Sequence, residues 1–400
     1  MTPQKTIIID DAIPFANAMF SHLGKIVTLP GAEIDTQAVQ HADALIVRSR
    51  TQVNAKLLAG SSVRFVGSTV VGLDHIDQAW LKRNQVEFYS AQGCNANSVA
   101  EFVISALYDL AEAKQFDLTQ KTLAIIGVGH VGRLVHEKAT LLGIKCLLND
   151  PPRARQERQE TLDSKTIDPR TIDLKTIDSQ ADSAFTDLET CLTADIITFH
   201  TPLTYEGEDA TYDLLSAERL LKIQPHQILV NAARGGVINE DAWSKTQTLA
   251  NVIDCWENEP LISQALYQTA YLATPHIAGH SLDAKVAGSH MVYQALCQAW
   301  GVKEQHQWQQ QLPALPDEIK LEHETGSIQT TLHNLFKKTH DLHADDQAIR
   351  ANTLQEIHYK YELYRRNFPT YREWHRHSVS KLVHSKVAKV LESLGFVTYQ

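Results

Sequence analysis

The chain has little cysteine, no surplus of positive charge and no long apolar run, and each shortage removes a class of protein. Its five cysteines (Cys94, Cys146, Cys191, Cys255 and Cys297) are scattered through 400 residues with no C-x-x-C pair. That spacing excludes a disulfide framework and a thiolate zinc site, and it fits a reducing compartment. A formal net charge of −10, with no long basic run, argues against a nucleic-acid surface. No apolar stretch approaches the ~18 residues of a membrane span. The start, Met1-Thr-Pro-Gln-Lys-Thr-Ile-Ile-Ile-Asp-Asp, lacks the apolar core and cleavage site of a signal peptide. These shortages lead us to expect a cytoplasmic protein of two or three domains, each able to bury its own core. Metal-ligand spacing is also wanting. Among His333, His340, His343, His358, His375, His377 and His384 only His375-x-His377 is tight, and no H-E-x-x-H accompanies it. No metal is expected, and these histidines read as dimer surface and solvent.

What is present is organised around Leu123-Ala-Ile-Ile-Gly127-Val-Gly129-His-Val-Gly132-Arg-Leu-Val. It reads as an apolar strand, a glycine-rich turn and the start of an amphipathic helix. Gly127 allows the tight turn, Gly129 lets backbone approach a pyrophosphate, and Gly132 lets helix and strand pack closely. The N–H groups near His130 and Val131 face the phosphates at the positive end of the helix dipole. A second strand, Lys145-Cys-Leu-Leu-Asn-Asp150, ends in an acid where a dinucleotide fold places its ribose-binding carboxylate. Asp150 would repel a 2′-phosphate, so NAD is favoured over NADP.

The rest of the chain fits around this unit. Residues 1–97 alternate strand and helix signals (strands at 6–10, 25–29, 44–48, 65–69 and 87–90), which imply a parallel sheet covered on both faces. A long helical pattern runs from Asn97. Strand signals at 194–200, 227–231, 251–254 and 271–274 each end in a polar cluster, and a helix at about 282–300 suggests a return to the first domain. The fold expected is α/β, with two doubly wound Rossmann-like sheets and a small C-terminal α+β domain. The domains are 1–97 with 282–305, 98–281, and 317–400. Within the second, 153–182 carries Thr166-Ile-Asp, Thr171-Ile-Asp and Thr176-Ile-Asp, which read as a solvated surface insertion because so short a repeat cannot bury a core.

Ligands of open parallel sheets lie beyond the carboxyl ends of the strands, so Arg234, Glu259 and His276 form the candidate catalytic set. Oxidising a secondary alcohol needs a base for the hydroxyl proton as the hydride leaves, and histidine titrates near working pH. A carboxylate on the far ring nitrogen fixes the tautomer, and Glu259 suits that position. Arg234 offers a planar fork to a substrate carboxylate.

Three blocks, Asn231-Ala-Ala-Arg-Gly-Gly, Asp254-Cys-Trp-Glu-Asn-Glu-Pro and Thr274-Pro-His-Ile-Ala-Gly, resemble the signatures of the D-2-hydroxyacid dehydrogenase family. Four further stretches are similar to one branch of it: Asp10-Asp-Ala-Ile-Pro-Phe, Val47-Arg-Ser-Arg-Thr, Gly93-Cys-Asn-Ala and Asn367-Phe-Pro-Thr-Tyr-Arg-Glu-Trp. The resemblance implies oxidation of 4-phospho-D-erythronate at its 2-hydroxyl in vitamin B6 biosynthesis. Arg234 would bind and polarise the substrate, with His276 as proton carrier and Glu259 as its partner. It also implies NAD contacts at His130, Val131, Asp150, Thr201, Ala232, Ala233, Arg234, Asp254 and Gly279, a substrate contact at Ser49, and a homodimer formed through the C-terminal domain. The family's substrate-contacting threonine stands here as Val70, and its usual tyrosine after the Ala-Gly pair as His280. Arg48 and Arg50, beside Ser49, are the candidates for holding the substrate phosphate. A dehydrogenase of another D-2-hydroxy acid, such as 3-phosphoglycerate, keeps the same chemistry. An NAD-sensing scaffold is the reading from another class.

Overall fold

The computed structural model describes residues 4–164, 184–321, 327–380 and 385–399. The chain divides into two compact units, Met1–Ser98 with Gly279–Pro316 and Val99–Ala278 with Asp317–Gln400. No helix among the described residues is long and apolar enough to cross a membrane.

The first unit is built on strands β1 (Thr6–Asp10), β2 (Lys25–Leu29), β3 (Ala44–Val47), β4 (Phe65–Ser68) and β5 (Glu87–Ser90). They pair in parallel in the order β2-β1-β3-β4-β5. The pleat sends alternate residues to opposite faces: Ile7 and Ile9 enter one core with Phe65, while Ile8 enters another with Leu45 and Val66. Both faces are therefore covered, which is why β3 and β4 are buried throughout. The helix Leu282–Trp300, capped by Ser281, seals one face with Val292, Tyr293 and Leu296.

The second unit carries β6 (Thr122–Ile126), β7 (Lys145–Asn149), β8 (Ile196–Phe199), β9 (Ile228–Asn231), β10 (Ala250–Ile253) and β11 (Leu272–Ala273). All six are parallel, in the order β11-β10-β9-β8-β6-β7. The strand order reverses between β6 and β8, and between β1 and β3 in the first sheet. Such switch points open a crevice at the strands' carboxyl ends. Pro151–Ser164 is helical, so the expected insertion begins as a continuation of the nucleotide unit. The three Thr-Ile-Asp repeats lie outside the described residues, as does His384.

The C-terminal region is α+β, with a parallel sheet of β12 (Ile319–Lys320), β13 (Ser378–Ser380) and β14 (Val397–Thr398) under helices. Leu332, Leu335, Phe336 and Trp374 share one core with Leu107, Tyr108 and Ile125 of the nucleotide unit. Reading the tail histidines as dimer surface and solvent is therefore corrected for several of them. His333 and His343 lie 3.3 and 2.8 Å from the Asp109 carboxylate, which also accepts from the Tyr271 hydroxyl at 2.7 Å. His340 pairs with Asp345 at 2.5 Å and stacks on Tyr371, and His377 is buried. For His333 and His343 the carboxylate is distant in sequence, and spacing along the chain does not reveal it.

Candidate active site

The glycine-rich turn stands at the β6/β8 switch point. Gly127 has φ +88° and donates its N–H to Asn149 O at 2.8 Å. A Cβ there would lie 2.8 Å from the His200 carbonyl carbon. A Cβ at Gly132 would run into the Gly127 carbonyl, so the helix His130–Leu141 can start here only with glycine at that position. Gly129 differs, since a Cβ there would meet nothing within 4 Å. Packing inside the protein does not explain that glycine; its backbone, at φ −75° and ψ −145°, favours one, and the open space leaves room for a ligand to approach.

Asp150 sits beside the same turn. Its carboxylate accepts from Val128 N at 2.8 Å and Arg153 N at 3.1 Å, and the Arg153 guanidinium reaches the Val128 carbonyl. At the end of β8, Thr201 Oγ1 is buried without a hydrogen bond, an orphaned polar atom of the kind a bound ligand completes. An open Gly129, the N–H groups at the start of the helix, Asp150 and Thr201 together fit a dinucleotide.

The catalytic candidates come from the ends of β9, β10 and β11. His276 Nδ1 lies 2.9 and 3.1 Å from the two Glu259 carboxylate oxygens. Trp256 N–H donates to Glu259 Oε1 at 2.8 Å. Burial alone would raise the Glu259 pKa. The His276 charge and hydrogen bond, the Trp256 N–H and the Arg365 charge outweigh it and hold the carboxyl down at about 2. His276 itself has φ +54°, a left-handed conformation uncommon outside glycine. Asp254 imposes it. The Asp254 carbonyl accepts from His276 N at 2.8 Å, while its carboxylate accepts from Thr274 Oγ1 (2.7 Å), Ile277 N (2.7 Å) and Ala278 N (3.1 Å). Asp254, expected at the cofactor, thus also builds the loop that presents His276.

Arg234 is held by a second scaffold. Asn231 Nδ2 donates to the carbonyls of Arg234 (3.0 Å) and Cys255 (3.3 Å), and Asn231 Oδ1 accepts from Ala233 N at 3.1 Å. Gly235 lies against the Trp256–Glu257 backbone, into which a Cβ would collide. The Arg234 loop and the Glu259 loop are therefore one rigid body. Buried Glu240 secures it by accepting from Glu257 N at 2.5 Å. Burial, with help from the Glu257 and Glu259 charges, pushes Glu240 up to about 7.

That shift has a sign. The folded carboxyl holds its proton more tightly than the unfolded one, whose ordinary pKa is 4.5. Its contribution to stability is complete below that value and is lost as pH rises through about 7. Glu240→Gln keeps an acceptor for the Glu257 N–H and removes the loss. The variant should match the parent at pH 5 and exceed it at pH 8.5 by roughly 2–3 kcal/mol. Unfolding midpoints at the two pH values check this, and an unchanged difference between the two proteins would refute it.

In the first unit, Arg48 and Ser49 follow β3 at the β1/β3 switch point, and Arg48 Nη1 donates to Ala12 O at 3.1 Å. The turn containing Val70 is fixed through its backbone, with Ser68 and Ser90 hydroxyls donating to Val70 O at 3.2 and 3.4 Å and Gln92 to Val71 O at 2.8 Å. Valine in place of a hydroxyl residue leaves that turn intact. Gly279 packs on Asn95, and His280 follows it into the helix Leu282–Trp300.

Several participants escape a reading by motif. Asn231 and Thr274 lie inside the signature blocks, but only their hydrogen bonds show what they do. Lys285 carries no signal; burial first, and then the Arg48 charge, push it down to about 8. The C-terminal helix Leu354–Arg366 brings Arg365 and Tyr361 within electrostatic reach of Glu259, with the Arg365 Nε and the Tyr361 hydroxyl buried and without hydrogen bonds.

Residues 108–278 match the family model described as "D-isomer specific 2-hydroxyacid dehydrogenase, NAD binding domain". The erythronate-4-phosphate dehydrogenase of Hydrogenovibrio crunogenus is 55% identical over 396 residues, covering 99% of each chain. That of Proteus mirabilis is 37% identical over 398 residues, covering 98% of each. Among solved structures, NAD-dependent formate dehydrogenase of Staphylococcus aureus in complex with NAD superposes with a TM-score of 0.56 at 20% identity, covering 76% of this chain and 98% of that one. D-Lactate dehydrogenase of Aquifex aeolicus, complexed with NAD and lactic acid, gives 0.53 at 18%, covering 74% and 96%. At such identities these two speak for the fold alone, whereas full-length identity to the dehydrogenases speaks for descent. The chain belongs to the NAD-dependent D-isomer-specific 2-hydroxyacid dehydrogenase family, in the branch formed by the erythronate-4-phosphate dehydrogenases.

Proposed function

We propose that the chain oxidises the 2-hydroxyl of 4-phospho-D-erythronate to 2-oxo-3-hydroxy-4-phosphobutanoate, a step of pyridoxal 5′-phosphate biosynthesis. The observation that carries this reading is the His276–Glu259 pair, set on strand ends in a dinucleotide-binding unit and matched at full length by dehydrogenases of that name. NAD, when bound, supplies the hydride acceptor. His276 takes the hydroxyl proton as the C2 hydride departs. Because Nδ1 faces Glu259, the proton is received at Nε2, and the ionised Glu259 stabilises the imidazolium that results. Arg234 pairs with the substrate carboxylate and, fixed by Asn231 and Gly235, aims C2. Thr201, Asp150 and the amides of His130 and Val131 are assigned to the cofactor, with Ala232, Ala233, Asp254 and Gly279.

Arg48, Ser49 and Lys285 are assigned to the phosphate end, with Val70 and His280 as neighbouring substrate contacts. An ammonium already strained by burial and by a neighbouring cation gains from a phosphate dianion. Lys285→Met should therefore raise KM for the phosphorylated acid about 10–100-fold, the worth of a charge-assisted hydrogen bond. The constant for unphosphorylated D-erythronate should stay where it is, and an equal rise for both acids would remove Lys285 from the phosphate.

NAD reduction measured with 4-phospho-D-erythronate, 3-phosphoglycerate and D-erythronate tests the substrate. Preference for the first supports the reading, and preference for another acid overturns it. We further propose a cytoplasmic homodimer. Tyr359 and Leu363 on the C-terminal helix are 66% and 45% exposed, an apolar surface that a second copy would cover. Sedimentation at micromolar concentration decides the oligomeric state.

A further inference from the structure

In the first unit, His290, Glu304 and His306, none of them given a role above, bring one ligand atom each to within 4.8 Å of one another. We propose that they form a binding site for a divalent transition ion of the zinc class, tying the helix Leu282–Trp300 to the segment that follows it.

The site is built. His290, Tyr293 and Gln294 stand on one face of the helix at i, i+3 and i+4. The Tyr293 hydroxyl accepts from Gln305 N at 2.5 Å and lies 3.2 Å from Gln305 O, so it pins the segment at the residue between Glu304 and His306. Gln294 Nε2 donates to both oxygens of Glu304, at 3.1 and 3.3 Å, and orients the carboxylate. The Trp308 ring lies 5.2 Å from the His290 ring and closes its other side. Such outer contacts are what hold first ligands in place.

The donors also suit the ion. His290 Nε2 is buried and makes no hydrogen bond. Glu304 Oε2 stands 3.5 Å from it, close to the separation of about 3.3–3.5 Å between two ligands of a tetrahedral zinc with bonds of about 2.0–2.2 Å. His306 is exposed and completes the third position by a small side-chain movement. Two imidazoles and a carboxylate select zinc-class ions over magnesium or calcium, which take oxygen ligands. The three ligands lie 14 and 2 residues apart, a spacing that matches no metal motif.

Zinc chloride titrated into the full-length, chelator-treated protein at pH 7.5 tests the site, with bound zinc counted per chain and unfolding midpoints recorded. His306→Ala and Glu304→Gln serve as variants, since both change partly exposed side chains outside the catalytic machinery. The expected result is that each variant binds one zinc fewer per chain than the parent and loses the zinc-dependent rise in midpoint. Dehydrogenase activity without added metal should be unchanged, and magnesium should have no effect. No zinc bound by the parent at micromolar concentration would overturn the proposal, as would an equal count in parent and variants, which would place the metal at other histidines.

Discussion

His276→Ala should lower kcat about 10²–10⁴-fold, the usual worth of a positioned general base, while NAD affinity stays within about twofold. The chemistry fails because the Glu259 carboxylate and the Arg234 fork cannot take the hydroxyl proton in place of an imidazole. Cofactor binding survives because the glycine-rich turn, Asp150 and Thr201 share no hydrogen bond with His276. The loop itself should also survive, since Asp254 holds it through Thr274, Ile277 and Ala278, and alanine keeps the backbone N–H that bonds Asp254 O. Glu259→Gln should act on the same step more mildly. Glutamine still reaches His276 and Trp256 but no longer offsets the imidazolium charge. With its carboxyl held down at about 2, Glu259 stays ionised near neutrality, so loss of activity between pH 5 and 7 reports another group. Initial rates and NAD titrations of the two variants check these effects. A His276→Ala protein retaining a tenth of the parent kcat would end the assignment.

The second large effect separates two glycines of one motif. Gly132→Ala should destabilise the protein by about 1–3 kcal/mol or more, the cost of overpacking a site that cannot expand. Its methyl meets the Gly127 carbonyl, which is fixed by the turn and cannot rotate away as a side chain can. The same displacement should weaken NAD binding. Gly129→Ala should lower the unfolding midpoint of the unliganded protein only by the strain of its backbone, about 1–2 kcal/mol, because its Cβ meets nothing within 4 Å while its φ of −75° and ψ of −145° lie outside the regions open to most residues. Yet it should bind NAD at least tenfold more weakly, since the methyl stands where the pyrophosphate approaches. Melting each variant with and without NAD distinguishes the two, because a ligand raises the midpoint only as far as it binds. A Gly129→Ala protein with an undiminished NAD-dependent rise would mean that the pyrophosphate does not pass that backbone.

Much of this is legible along the chain because it is local. Apolar runs of four to five residues, ended by polar clusters, mark the strands, of which the central ones are buried on both faces, and the strands lie where those runs lie. The glycine-rich turn is legible because its motif is short, although the closest contacts of Gly127 come from His200 and Thr201, far along the chain. Arg234, Glu259 and His276 are legible for a related reason, as each lies in the loop that follows a strand and parallel pairing brings strand ends to one edge.

Other features depend on where distant segments come to rest. Asn231 and Asp254 are ordinary polar residues until their hydrogen bonds show them building the loops that carry Arg234 and His276. Lys285, Tyr361 and Arg365 sit on helices far along the chain, and nothing in their neighbours distinguishes them from solvated side chains. The tail histidines misled the sequence reading because a histidine's role is set by the carboxylate it meets, and Asp109 lies more than two hundred residues from His333 and His343. The sequence by itself determined the fold class and the cofactor and offered Arg234, Glu259 and His276 as the candidate catalytic set, because pattern and strand-end position are properties of short stretches. Only the tertiary structure decided that the C-terminal region shares the nucleotide unit's core, that Glu240 is buried beside the Glu259 loop, and that His290, Glu304 and His306 converge. Burial and electrostatic proximity are fixed by packing between segments, and no short stretch of chain contains that information.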